Sequence, residues 1–322
     1  MRTLLPRRLR PGGTIGIVAP ASPYDRKSDV LRGIAWWEAH GFRVVLADGA
    51  LERGSYVAGP PERRAADLVA MFERPDIDAI QCLRGGYGSA QTIPHIDFEV
   101  VARNPKPFIG FSDITALHAA LGHFTGLVTF YGPTLTSLGP RVSDLTASRM
   151  IDVLCGSATG PLPADEDDPF LQTLAPGRAS GRLAGGCLSD LVHTMGTPWE
   201  IDLDGALFFF EEVGAGPHSI DRALLQLEQA GKLRSVRGIA IGRLAGCEWN
   251  DAGGSPWPHT SVLEEMLEDR LAPLDVPVLY RLPFGHGSHL ATIPIGVAAT
   301  LDANEGRLVI DEPALCDSTR VE

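Results

Sequence analysis

The chain has 322 residues, 44% hydrophobic and 21% charged, and carries a net charge of −12 from 40 acidic and 28 basic residues. That length suits two domains and that composition suits a folded chain with a packed core. The acidic balance excludes nucleic acid held by a basic surface, since there is no excess of Lys and Arg to displace counterions from phosphates.

In chain order, Arg2, Arg7, Arg8 and Arg10 open the sequence as a short basic terminus, read as solvated. Pro11-Gly12-Gly13 follows at once, and Thr14–Ala19 is too short for the apolar core of about 7–15 residues that a secretory signal needs. No window reaches the ~18 apolar residues of a membrane helix. The expectation is a cytoplasmic protein with no membrane partner.

Thr14–Ala19 predicts a buried strand, closed by Pro20-Ala21-Ser22-Pro23. Residues 28–40 predict a helix with Val30, Leu31, Ile34 and Trp37 on one side and Gly41 as its stop. Phe42–Leu46, Ala79–Leu83, Phe108–Phe111 and Leu127–Tyr131 read as strands, and 61–73 as a helix. Such alternation argues for a parallel sheet covered by helices. Residues 156–180 turn to Gly, Pro, Ala and the acidic run Asp165-Glu166-Asp167-Asp168, and read as a linker or surface loop. A second module follows. Its expected elements are a strand at Gly181–Ala184, a helix at Leu188–Met195, a strand at Leu207–Phe210 running into Glu211, and a helix at Ser219–Ala230. Strands at Ile239–Gly242 and Val278–Tyr280 and a strand-rich tail from about 295 to 311 complete it. The expected fold is α/β: an N-terminal parallel-sheet domain over 1–155 with a nucleophile elbow, and a mixed, strand-rich C-terminal domain over 181–322.

Ligands of such sheets bind beyond the carboxyl ends of the strands, and two motifs fall there. Gly110-Phe111-Ser112-Asp113 passes from a strand directly into helical spacing at Ile114, Leu117 and Leu121. Ser112 is either an N-cap or a nucleophile lifted onto a sharp turn beside helix amides. Arg84-Gly85-Gly86-Tyr87-Gly88 lacks both the Walker and the dinucleotide spacing, so it is either a tight turn or a backbone approach that aims a glycine amide at an oxyanion. In the second module, Glu211 at a strand end is either surface decoration or the carboxylate that orients a histidine. His286 in Phe284-Gly285-His286-Gly287 is either structural or a base reaching across a cleft on flexible glycines. Glu212 stays outside this set. His118 reads as structural, Asp113 as a capping carboxylate and amide donor, and Asp221-Arg222 as a helix-opening charge pair. Five scattered cysteines without a C-x-x-C pair, and nine histidines without H-E-x-x-H, predict reduced thiols and no metal centre.

Taken together, these pieces resemble the LD-carboxypeptidase family of serine peptidases, which contains murein tetrapeptide carboxypeptidases and microcin C self-immunity peptidases. The resemblance runs through Gly16–Ser22, Arg84–Gly88, Gly110–Thr115, Tyr131–Pro133, Gly185–Ser189 and Gly196–Pro198. It continues through Leu207–Val213, Ile220–Arg222, Gly285-His286 and Pro294–Gly296. It implies a catalytic triad of Ser112, Glu211 and His286, split between the two domains, and a homodimer. Many members have Glu-Asp in place of Glu211-Glu212 and Asn in place of Leu290. The expected enzyme is a serine carboxypeptidase with no metal or organic cofactor, acting on a small peptide, a murein tetrapeptide ending in an L-centre–D-Ala bond. Backbone amides of Asp113 and of Gly85 or Gly86 would form the oxyanion hole, and Arg84 would pair with the substrate's terminal carboxylate. The alternatives are a peptidyl-nucleotide substrate, with Phe170 or Trp199 to stack the base, and a non-catalytic peptide-binding protein on the same scaffold.

Overall fold

The computed structural model describes residues 3–156, 158–164, 171–248 and 262–317. Arg2, the acidic run Asp165–Asp168 and Phe170 lie outside these residues. The chain forms two compact units, one from Met1–Thr159, Thr292–Val297 and Pro313–Glu322, the other from Gly160–Ala291 and Ala298–Glu312.

The first unit is a parallel sheet of β1 (Thr14–Val18), β2 (Arg43–Leu46), β3 (Ala79–Cys82), β4 (Phe108–Gly110) and β5 (Thr129–Tyr131) in the order β5-β4-β3-β1-β2. Its helices are α1 (Lys27–Ala39), α2 (Pro61–Glu73), α3 (Phe98–Arg103), α4 (Thr115–Thr125) and α5 (Asp144–Cys155). The central strands are buried along their length, as a sheet covered on both faces requires. In α2 the spacing of Ala65, Leu68, Met71 and Phe72 turns one face inward, and Pro61 starts the helix where its missing N–H costs nothing.

The second unit holds β6 (Gly160–Pro161), β7 (Gln172–Ala175), β8 (Arg178–Cys187), β9 (Ala206–Val213), β10 (Gly238–Ala245) and β11 (Val278–Tyr280). A strand after them, β12 (Ile293–Ile295), leaves this unit and pairs antiparallel with β5 at the edge of the first sheet. An edge tolerates Pro294, which cannot donate to a ladder. The chain then returns as the hairpin β13 (Ala298–Asp302) and β14 (Arg307–Ile310), giving the sheet order β6-β14-β13-β8-β9-β10-β11-β7. β8 to β11 run parallel, and the flanking strands are antiparallel.

The stretch expected as a linker therefore contributes β6, β7 and the start of β8. Its Gly and Pro content is compatible with short edge strands, and Leu174 and Ala175 pack against the core.

Period two along β9 decides which way its side chains point. Phe208 and Phe210 join Leu188 and Leu191 of α6 (Leu188–His193) and Leu224 and Leu227 of α7 (Pro217–Gln229) on one face. Phe209 points to the other, edge-on to Phe284 at 5.8 Å. All three rings are fully buried, worth about 1.5–3 kcal/mol each against exposure. The same alternation sends Glu211 to the Phe284 face and Glu212 to the α6 face. On its outer side α7 is tied down by Asp221, whose partner is Arg270 of α8 (Val262–Leu271) at 2.6 Å.

Among the described residues, no helix is long and apolar enough to cross a membrane. Nor does any group of three or more His, Cys, Asp and Glu there suit a metal ion. All five cysteines are free.

Candidate active site

Ser112 follows β4 and opens a short 3-10 turn leading into α4. Its φ is 63°, a left-handed conformation that costs a non-glycine residue about 1–2 kcal/mol. The residue in the N-cap position is Phe111, which makes no side-chain cap. Among the described residues of its own unit the Ser112 hydroxyl has no hydrogen-bond partner, so the capping alternative is not realised. Two neighbours fix the strained turn. The Ser112 N–H donates to the Tyr131 hydroxyl at 3.1 Å, and Gly85 leaves no gap behind the side chain. A Cβ on Gly85 would lie 2.9 Å from Ser112 Cβ and 3.2 Å from its Oγ. Only glycine permits that approach.

The loop 84–89 is tied along most of its length. Ser22 donates its N–H to the Gly85 carbonyl at 3.3 Å, and its hydroxyl accepts from Tyr87 N–H at 3.1 Å. Asp113 is buried and accepts from the N–H groups of Gly88 and Ser89. Burial raises the Asp113 carboxyl above its ordinary value, partly offset by those bonds and by the charge of Arg64. Among the described residues of their unit, the N–H groups of Gly85 and Gly86 donate to no backbone or side-chain acceptor. Arg84 is held by Asp25 at 2.5 Å and reaches the Pro23 carbonyl at 3.3 Å. His118 is structural, as expected. Its Nε2 lies 2.9 Å from the Gly110 carbonyl, and full burial lowers its pKa to about 4 against the opposing pull of that carbonyl.

In the second unit, Glu211 is completely buried near the carboxyl end of β9. Its Oε2 accepts two hydrogen bonds from one residue: from His286 N–H at 2.9 Å and from His286 Nδ1 at 2.7 Å. The crossing is possible because Gly285 has φ 95° and no side chain; a Cβ there would lie 2.5 Å from Glu211 Cβ. The loop is stitched to β10 by Leu282 N–H to Ile241 and Arg243 N–H to Phe284. A carboxylate at Nδ1 assigns the proton to that nitrogen and leaves Nε2 as the basic one. Burial pulls the His286 pKa down, but the Glu211 bond and charge, with Glu212 and Asp190, outweigh it and leave the pKa raised. Glu212, on the opposite face, is also buried and accepts from Ser189 N–H at 2.8 Å. Leu290 is buried, and Trp199 is half-buried.

The geometry thus pairs Glu211 with His286 in one unit, and sets Ser112, Gly85, Gly86 and Asp113 together in the other, with Arg84 engaged beside them. Sequence reasoning passed over Tyr131 as a partner of Ser112, and over Ser22 and Arg64 as the groups that pin the glycine loop. Arg64 lies in an amphipathic helix, where an arginine ordinarily reads as surface.

Comparison with known proteins fits this arrangement. The family model described as LD-carboxypeptidase N-terminal domain matches residues 15–132, and the one described as LD-carboxypeptidase C-terminal domain matches residues 180–301. The probable murein peptide carboxypeptidase of Bacillus subtilis (strain 168) is 37% identical over 95% of this chain and 94% of its own. A solved structure of MccF in complex with glutamyl sulfamoyl guanosine superposes with a TM-score of 0.86 at 26% identity, covering 97% of this chain and 100% of that one. The muramoyltetrapeptide carboxypeptidase from Oxalobacter formigenes does so with a TM-score of 0.78 at 27% identity, covering 93% and 99%. The chain belongs to the LD-carboxypeptidase family and is a serine-type peptidase of that family.

Proposed function

We propose that this peptidase hydrolyses the amide between an L-centre and a terminal D-Ala in murein tetrapeptides, through a triad of Ser112, His286 and Glu211. The observation that carries the triad is the double acceptance by Glu211 Oε2, which fixes both the tautomer and the orientation of His286. His286 Nε2 takes the proton of Ser112 as its Oγ attacks the scissile carbonyl. Glu211 stabilises the imidazolium that forms. The N–H groups of Asp113 and of Gly85 or Gly86 receive the oxyanion, a role worth about 3–4 kcal/mol per donor in other serine enzymes. The imidazolium then protonates the leaving D-Ala nitrogen. Water, activated by His286, releases the peptide from Ser112. Arg84 exchanges Asp25 for the terminal carboxylate of the substrate, a geometry a guanidinium accepts in bidentate form. No metal or organic cofactor enters these steps. A cytoplasmic homodimer completes the reading.

The murein substrate is supported by relatives named for murein peptides. A peptidyl-nucleotide amide is the second reading, favoured by the likeness to MccF bound to a sulfamoyl guanosine; Trp199 would then stack the base. The test is mass spectrometry of the products formed from a murein tetrapeptide and from a peptidyl-adenylate mimic. Release of D-Ala at the higher kcat/KM supports the first reading, and preference for the mimic supports the second.

A further inference from the structure

The strongest unassigned feature beside the nucleophile is a charged side chain almost wholly inside the protein. Arg64 of α2 is only 2% exposed. Its guanidinium donates to four acceptors on three separate stretches of chain: Nη1 to the carbonyls of Pro20 and Gly88, the latter at 2.8 Å, Nε to Gly59 at 3.0 Å, and Nη2 to Gln91 Oε1 at 2.8 Å. Asp113, next to Ser112 in sequence, grips the same loop from the other side through the N–H groups of Gly88 and Ser89. The Ser89 hydroxyl returns a bond to the Asp113 carbonyl. Gly88 thus has its carbonyl on Arg64 and its N–H on Asp113, three residues beyond the glycine that abuts Ser112.

We infer that Arg64 is a positioning residue for the reaction, holding the glycine loop so that the free amides of Gly85 and Gly86 stand at a fixed distance from Ser112. The inference rests on the nucleophile reading given above. A planar fork with five donors in fixed directions can serve carbonyls on three loops at once; a lysine ammonium, a point charge on a flexible stem, cannot. Arg64 bonds to the loops and not to Ser112. It acts on the oxyanion amides, whose stabilisation is felt in the transition state more than in ground-state binding.

The test uses the full chain and a murein tetrapeptide, with active sites counted by fluorophosphonate titration. Arg64→Lys is expected to lower kcat per titrated site about tenfold or more while KM changes less than about threefold, because an interaction made in the transition state is lost. The acid limb of the pH profile, set by His286, stays where it is. Gln91→Met, which removes one neutral acceptor of the guanidinium and no charge, is expected to lower kcat by a smaller factor, again at constant KM. It carries the same test if Arg64→Lys does not fold. A variant that melts earlier but turns over at the wild-type kcat per titrated site overturns the inference, because the role is then structural alone. So does a change confined to KM. Ser112→Ala is the separate control: persistent turnover there removes the nucleophile reading, whereas a dead Ser112→Ala beside a fully active Arg64→Lys removes only the role of Arg64.

Discussion

Glu211 Oε2 stands 2.7 Å from His286 Nδ1 and 2.9 Å from the backbone nitrogen of the same residue. A buried carboxylate with two N–H donors from one histidine fixes that histidine in direction and in tautomer. The pair raises the pKa of His286 above its ordinary value of about 6.5 even though burial acts against it. As a general base, His286 is then expected to give kcat/KM an acid limb above that value, with activity lost as pH falls through it. The stability contributed by the charged pair has the opposite sense: it is complete below the unfolded-state value and fades as pH rises through the folded-state one. Glu211→Gln should move the limb to lower pH and reduce kcat by about 10³–10⁴-fold. A rate–pH profile of the two proteins checks this; an unmoved limb would show that Glu211 does not face the working base.

Ser112 is held at φ 63°. Serine and alanine both suffer there, and glycine does not. Ser112→Gly should therefore be at least as stable as Ser112→Ala, by up to ~1 kcal/mol after glycine's greater unfolded-state entropy is set against the relieved strain. Urea titration of the two inactive variants measures the difference. A clearly less stable glycine variant would mean that the turn is not strained.

Gly85 lies where any Cβ would press on the Ser112 side chain at 2.9 Å. Gly85→Ala is expected to fold and to lose about 10²-fold or more in kcat, since displacement of a reacting group by about 1 Å has that effect. Kinetics on the purified variant, paired with its circular dichroism spectrum, separates this from misfolding. Near-normal kcat would place the loop farther from the chemistry.

His118 is buried and neutral, its pKa pulled down to about 4. Its unfolded-state value is near 6.5, so between those pH values the unfolded chain binds a proton that the native chain does not, and stability falls as pH falls. The full effect is on the order of 3 kcal/mol. His118→Gln, which keeps a donor for the Gly110 carbonyl, should flatten this part of the stability–pH curve. Identical slopes in the two proteins would assign the acid sensitivity elsewhere.

The first unit was legible in the sequence because its strands are short apolar runs punctuated by Gly and Pro. Helix α2 matches the expected 61–73 residue for residue. The pairing of Glu211 with His286 could be suspected only from their strand-end positions and the family likeness, because neither residue signals its partner 75 positions away. β7 escaped notice because an edge strand among Gly, Pro and Ala lacks the alternation of a half-buried one, and its partner β11 lies about a hundred residues on. The strand-rich tail expected from about 295 to 311 begins where β12 (Ile293–Ile295) ends, and three apolar residues do not say which sheet they join. Arg64 carried no signal at all: its four acceptors belong to loops that meet only in the folded unit.

The central claim is that Ser112 is the nucleophile, and D-Ala release from a murein tetrapeptide tests it most directly. Wild-type protein should release D-Ala, and Ser112→Ala, folded by the same spectroscopic criteria, should fall by at least ~10³-fold in kcat. Release by Ser112→Ala within tenfold of wild type would contradict the account.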